Sequence, residues 1–396
     1  NNYFFIFLRN RLQYLINLSK MKKNRLIYLL TFLLAFSSCK KKTLVNVEKP
    51  NGLKEVYKNN FLIGVAINAN QINEKNEVQN ALIKTEFNSI TPENIMKSLL
   101  IHPKKDTFNF ELSDKLVGLA EKNNMHIQGH TLVWHSQLSP FFKEIKDSTE
   151  MVNELKNHIN TIVGRYKGKI DAWDVVNEAL NDDGTLRKTA FLDALGEDYL
   201  SLAFDLTQKV DPDAELYYND YSMTIPAKRA GAIKMIKRIQ ELGTKIDGIG
   251  MQGHWDLNTP SIEEIGKSIV EYAELGIKVA ITELDVSVIP MPWDFSGADV
   301  NVKFESGDPT MNPYPEKLPD SIQVKLAERY EAIFKLFLKH EDKISRVTFW
   351  GVNDGDSWKN DWPINGRTNY PLLFDRNNEK KKAYYSVFNL KSDSKE

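Results

Sequence analysis

The stretch Trp173-Asp174-Val175-Val176-Asn177-Glu178-Ala179 is an apolar, β-branched run that ends on a glutamate just where it stops being apolar. A second stretch, Ile281-Thr282-Glu283-Leu284-Asp285-Val286, has the same form. Short apolar runs of this kind read as strands buried on both faces, the mark of a parallel sheet covered by helices. Outward from these two, further β-rich runs lie at Phe61–Ile67, Phe87–Thr91, His126–Trp134, Ile170–Val176, Ala214–Tyr218, Asp247–Met251, Lys278–Thr282 and Ile344–Trp350. Between the runs the apolar period changes to 3.6: Ile233, Ile236, Ile239 and Leu242 share a face, as do Ala327, Tyr330, Phe334 and Phe337. Eight such runs, each followed by a helical stretch, predict an α/β fold, a single (β/α)8 TIM barrel over residues 60–392. A doubly wound open sheet is the rival, and in its nucleotide-binding form it would need a Gly-rich loop that the first run lacks. One long irregular segment, Ser287 to Pro319, rich in Pro, Asp and Asn, falls between the seventh run and its helix. A loop of that length at one rim is more often functional than decorative.

The chain has 396 residues, 42% hydrophobic and 11% aromatic, with a formal net charge of -1. That balance gives a full-sized core and no electrostatic reason to expect nucleic acid or an anionic membrane surface as partner. Residues 21–39 read Met-Lys-Lys-Asn-Arg, then the apolar stretch Leu26 to Phe36, then Ser37-Ser38-Cys39. This resembles a bacterial lipoprotein signal peptide in which Cys39, the sole cysteine, becomes the lipidated first residue. The apolar run is too short for a membrane span, which needs about 20 residues. An exported protein attached to a membrane only through that lipid is the expectation. Residues 1–20 are read as upstream sequence translated in error, and 40–59, polar and rich in lysine, as a flexible tether.

In a barrel of this type the residues at the C-terminal ends of the strands form the site. The second run ends in Thr91-Pro92-Glu93-Asn94-Ile95-Met96-Lys97, and the third in Gly129-His130-Thr131-Leu132-Val133-Trp134-His135-Ser136-Gln137. The fourth ends in Asn177-Glu178, the fifth in Asn219-Asp220-Tyr221 and the sixth in Gln252-Gly253-His254. The seventh supplies Glu283 and Asp285, the eighth Trp350, with Trp358 in the loop beyond. Taken singly, each has a bland explanation: a strand-end glutamate caps a helix, a tryptophan fills the core, a lysine faces water. Their coincidence at one rim does not. His126, His130 and His135 raise the question of zinc, but Ile-Gln-Gly-His-Thr-Leu-Val-Trp is a strand pattern and gives no helical ligand spacing, so a metal-free, cofactor-free site is expected. There is no Gly-x-Ser-x-Gly elbow, and the one cysteine belongs to the leader. What remains is a pair of carboxyl groups, the equipment for protonating a leaving oxygen while attacking the carbon that bears it.

These segments, with Thr282-Glu283-Leu284-Asp285, Trp350-Gly351-Val352 and Asp354-Gly355-Asp356-Ser357-Trp358, resemble the signature segments of family 10 glycoside hydrolases, the endo-β-1,4-xylanases. The resemblance runs over residues 60–392 in the family's order. It implies that Glu178 is the general acid/base and Glu283 the nucleophile of a retaining double displacement. It further implies that Asn177 binds the 2-hydroxyl of the sugar being cleaved, and that His254, between Glu283 and Asp285, orients the nucleophile. Lys97, His130 and Gln252 would bind hydroxyls in that subsite, walled by Trp134, Trp350 and Trp358. Glu93, Asn94 and Gln137 would hold the next sugar, and Tyr221 would stack on the leaving-group side. Xylan or a xylo-oligosaccharide is the implied partner, and a monomer is expected. Two alternatives stay open: a β-glucanase or mannanase, which would share the glutamates without the whole Glu93, Lys97, His130 and Gln137 set, and a non-catalytic xylan-binding protein, which would lack a carboxylate.

Overall fold

The computed structural model describes residues 8–17, 19–21, 50–292, 300, 303–305 and 309–392. Two units are distinct, residues 1–49 and residues 50–396; of the first, the described residues are helical. Residues 22–49, which include Cys39, the rest of the expected signal peptide and the first half of the expected tether, lie outside the described residues.

In the second unit the barrel strands are β1 (Leu62–Ile67), β2 (Ser89–Pro92), β3 (His126–Trp134), β4 (Ala172–Asn177), β5 (Glu215–Asp220), β6 (Gly248–Met251), β7 (Lys278–Ser287) and β8 (Ile344–Phe349). Each pairs in parallel with the next, and β8 pairs with β1, so the sheet closes. After each strand comes an outer helix: Glu77–Glu86, Glu111–Asn123, Ser148–Arg165, Tyr199–Val210, Pro226–Glu241, Ile262–Ala273, Asp320–Lys339 and Lys382–Ser392. Closure leaves no sheet edge, and the main core fills the layer between strands and helices. There Phe349 of β8 stacks on Phe334, rings 6.1 Å apart and 8° from parallel. The barrel expected from sequence is the one observed.

Most strand ends lie within two residues of the expected ones, and the larger departures have physical causes. Strand β7 continues five residues past Thr282, because Glu283 and Asp285 are themselves buried and bonded inside the barrel, so their polarity does not end the strand. A three-residue strand, His254–Asp256, pairs with that extension through His254 and Asp285. The expectation of a tether through residue 59 does not hold for its last part: Leu53–Val56 is helical, Leu53 and Tyr57 are fully buried, and the Tyr57 hydroxyl donates to Val387 O at 2.7 Å. Burying two such side chains favours order by roughly 1.5–3 kcal/mol each, enough to fix a segment whose local composition is polar. On the helix faces, Ala327, Tyr330, Phe334 and Phe337 are all buried, whereas Leu242 falls beyond the end of Pro226–Glu241 and is exposed.

Candidate active site

The C-terminal ends of the strands form a cleft lined by Glu93, Asn94, Lys97, His130, Trp134, Gln137, Asn177, Glu178, Gln252, His254, Glu283, Val300, Trp350 and Trp358. All but Val300 are residues singled out from sequence. Val300 comes from the long loop 287–319, whose described parts are tied to the loop after β8: Phe304 N donates to Pro363 O at 2.8 Å, and Tyr370 Oη to Tyr314 O at 2.9 Å.

Glu178 stands directly after β4 with φ of 56°. That left-handed conformation is uncommon outside glycine and costs roughly 1–3 kcal/mol, so the surroundings must impose it. Its N–H donates to Asn219 O at 2.9 Å, and its carbonyl accepts from Arg187 Nε at 3.1 Å. The carboxyl accepts from Trp134 Nε1 at 2.8 Å and from Gln252 Nε2 at 3.0 Å. Burial is the largest influence on it and the Asp220 charge the next; Glu283 adds to both, and together they outweigh the two donors and push the pKa up to about 7. Asp220 is fully buried and paired with Lys228 at 2.9 Å.

Glu283 is equally deep and has different company. Burial alone would raise its pKa. Against that, His254 Nε2 lies 3.2 Å from Oε2, the His130 and His254 charges attract, and Asn219 Nδ2 donates to Oε1 at 2.8 Å, so the carboxyl is held below the ordinary range. Asn219 Nδ2 also sits 3.0 Å from the Asn177 amide, tying the ends of β4, β5 and β7 together. On its far side, His254 Nδ1 is 3.0 Å from Asp285 Oδ1, and Trp358 Nε1 donates to Asp285 Oδ2 at 2.9 Å. Burial opposes protonation of His254, but the two carboxylates prevail and its pKa is raised. Gly253, at φ of 84°, makes the turn that sends Gln252 to Glu178 and His254 to Glu283. A Cβ there would meet Ile281 Cγ2 at 3.0 Å.

The remaining predicted contacts divide. Lys97 donates to Asn94 Oδ1 at 3.0 Å, and its ammonium lies 4.9 Å from the Trp134 ring centroid. His130 Nδ1 is 2.8 Å from Asp174 Oδ2 and its ring meets Trp350 edge-on at 5.4 Å. Gln137, at φ of 41°, faces Asn94. Tyr221, expected to stack on the leaving-group side, packs beside the cleft residue Trp358. It is buried, with Lys228 Nζ 3.8 Å from its ring centroid, Trp362 packed against it and its hydroxyl accepting from Arg187 Nη2 at 2.6 Å. The sequence reading passed over Asn219, Asp220, Arg187 and Asp174. Asn219 and Asp220 ended a strand at the same rim as the residues that were chosen, and that position was their only signal.

Residues 52–390 match the family described as glycosyl hydrolase family 10. The chain belongs to that family. An endo-1,4-beta-xylanase A of Xylanibacter ruminicola is 42% identical over 85% of this chain and 93% of its own length. A beta-1,4-xylanase of Dictyoglomus thermophilum is 40% identical over 91% and 96%. Among solved structures, a family 10 endoxylanase retrieved from a sugarcane soil metagenome superposes with a TM-score of 0.83, at 45% identity, covering 86% of this chain and all of that one.

Proposed function

We propose that this chain is an endo-1,4-β-xylanase that cleaves internal xylosidic bonds with retention, Glu178 acting as acid/base and Glu283 as nucleophile. The observation that carries the reading is the split between two buried carboxyls in one cleft: Glu178 is held up to about 7 and Glu283 below the ordinary range, so below about pH 7 one keeps its proton while the other is ionised. In the first step Glu178 gives its proton to the glycosidic oxygen as that bond breaks, and a Glu283 oxygen bonds to the anomeric carbon. Esterifying Glu283 removes the negative charge that had helped keep Glu178 protonated. Glu178, now a carboxylate, takes a proton from water, which attacks the anomeric carbon and releases Glu283.

The substrate class rests on the cleft and on the relatives. Glu93, Asn94, Lys97, His130, Gln137 and Gln252 offer hydroxyl partners, and Trp134, Trp350 and Trp358 offer flat walls. Tryptophans placed near C5 of the bound sugar would disfavour a hydroxymethyl group there, which favours xylan over a glucan. A structure 35% identical to this chain is of a mutant in complex with xylotriose. Proton NMR of early hydrolysis tests the mechanism: β-anomeric xylosyl products should appear first, and initial α-anomer would refute retention. We also propose that Cys39 is lipidated, on the strength of the basic, apolar and small-residue succession over 21–39. Palmitate should label the wild type and not Cys39→Ala; equal labelling of the two would overturn it.

A further inference from the structure

Lys359 follows Trp358 in a short 3-10 turn, and it is buried, only 4% exposed. A lysine at that depth must be neutralised or recruited. Its ammonium lies 3.4 Å from Asp285 Oδ1, the same oxygen that faces His254 Nδ1. It is also 5.0 Å from the Trp358 ring centroid and 5.6 Å from that of Trp362, and the two indoles stack at 4.5 Å. The stack excludes water around the ammonium and holds it against one carboxylate. A continuous row results: Lys359, Asp285, His254, Glu283.

We propose that Lys359 is a positioning residue of the reaction, whose buried charge keeps Asp285 ionised so that the Asp285–His254 pair holds the nucleophile in its anionic form. This deepens the assignment of Glu283 as nucleophile and rests on it. Asp285 with a proton would no longer anchor His254, and an unanchored His254 would neither aim at Glu283 nor stay cationic beside it. The charged groups facing this row from other elements are His130 of β3, Glu178 after β4, and Glu93 and Lys97 after β2; the Tyr330 hydroxyl, donating to Pro371 O, lies behind Asp285. None of these touches Asp285 as Lys359 does. The signs agree: removing the cation makes Asp285 easier to protonate and leaves Glu283 with less positive charge nearby, and both effects raise the pH below which the nucleophile is lost.

The test is the acidic limb of the kcat/KM profile on an aryl β-xylobioside, measured on the full chain. Lys359→Met should move that limb upward by about half a unit to one unit, with kcat falling more than KM rises, while Lys359→Arg should restore the wild-type limb. In an Asp285→Asn background, the same Lys359→Met change should shift the limb by clearly less, because only the weaker direct effect of the ammonium on Glu283 remains. Should Lys359→Met not fold, Lys359→Gln removes the charge and keeps a donor for Asp285, with the same shift expected. An unmoved limb in a folded charge-neutral variant would overturn the proposal, as would an equal shift in both backgrounds. Failure of both neutral variants to fold, with Lys359→Arg folding, would make Lys359 a structural ion instead. Any of these failures is distinct from failure of the nucleophile assignment, which would show as activity surviving Glu283→Ala.

Discussion

The β4–β5 wall of the cleft and the β7 wall each bury one glutamate, and they treat it oppositely. Behind Glu178 stands an anion, Asp220, whose partner Lys228 is spent on it; beside Glu283 stands a cation, His254, itself backed by Asp285. Burial is nearly the same on the two sides, with 4% exposure for Glu178 and 5% for Glu283, so burial cannot be what separates them. The sign of the next charge does. Each wall therefore sets the protonation state of its own carboxyl, and the proposed division of roles follows from the neighbour of each glutamate.

The largest effect should come from deleting the two carboxyls in turn. Glu283→Ala removes the proposed nucleophile, and activity should fall about 10⁴–10⁶-fold on every substrate. Glu178→Ala removes the proposed proton donor and base but leaves the nucleophile, so xylan hydrolysis should drop by about 10²–10⁴-fold while a dinitrophenyl glycoside still loses its leaving group. Azide, which needs no deprotonation, should restore turnover in Glu178→Ala and give the β-azide; in Glu283→Ala any azide product should be α. Identical losses on activated and unactivated substrates in Glu178→Ala, or β-azide from Glu283→Ala, would dissolve the contrast between the walls.

A smaller effect sharpens it. In its proposed role Glu178 must carry a proton to act as acid, so kcat/KM should be lost as pH rises through its pKa of about 7. Asp220→Asn removes the anion that favours the proton, and the basic limb should move toward acid by about one unit at most, leaving the acidic limb in place. Lys228 keeps Asp182 at 3.2 Å as a partner, so the variant remains charge-paired though less stable. A basic limb that stays where it was would mean that burial alone holds the Glu178 proton.

How far this contrast was legible in the sequence follows from what a one-dimensional pattern carries. The barrel was legible because apolar runs and 3.6-residue faces repeat eight times, and the rim residues because their polarity interrupts those runs at one end. Asp220 and Asn219 ended a strand in the same way, yet nothing in their spacing says which glutamate each one faces; Asn219 reaches across to Glu283 on a strand 64 residues away. The surroundings of Tyr221 were not legible, because they depend on Arg187, Lys228 and Trp362, which come from three different loops and helices. Strand β7 ran longer than expected for the same reason: polarity marks a strand end only when the polar group meets water, and Glu283 and Asp285 meet His254. Leu53 and Tyr57 carry too little local pattern to distinguish a docked segment from a tether.

The central claim is that the β7 wall supplies the nucleophile and the β4–β5 wall the proton. A 2-deoxy-2-fluoro xylobioside with a dinitrophenolate leaving group slows the second step more than the first, so the covalent intermediate accumulates. After proteolysis and mass spectrometry, the added fluoro-xylobiosyl mass should reside on the peptide containing Glu283, with fragmentation placing it on that side chain and none on Glu178. A label on Glu178, or complete turnover with no labelled peptide and α-anomeric product, would contradict the account.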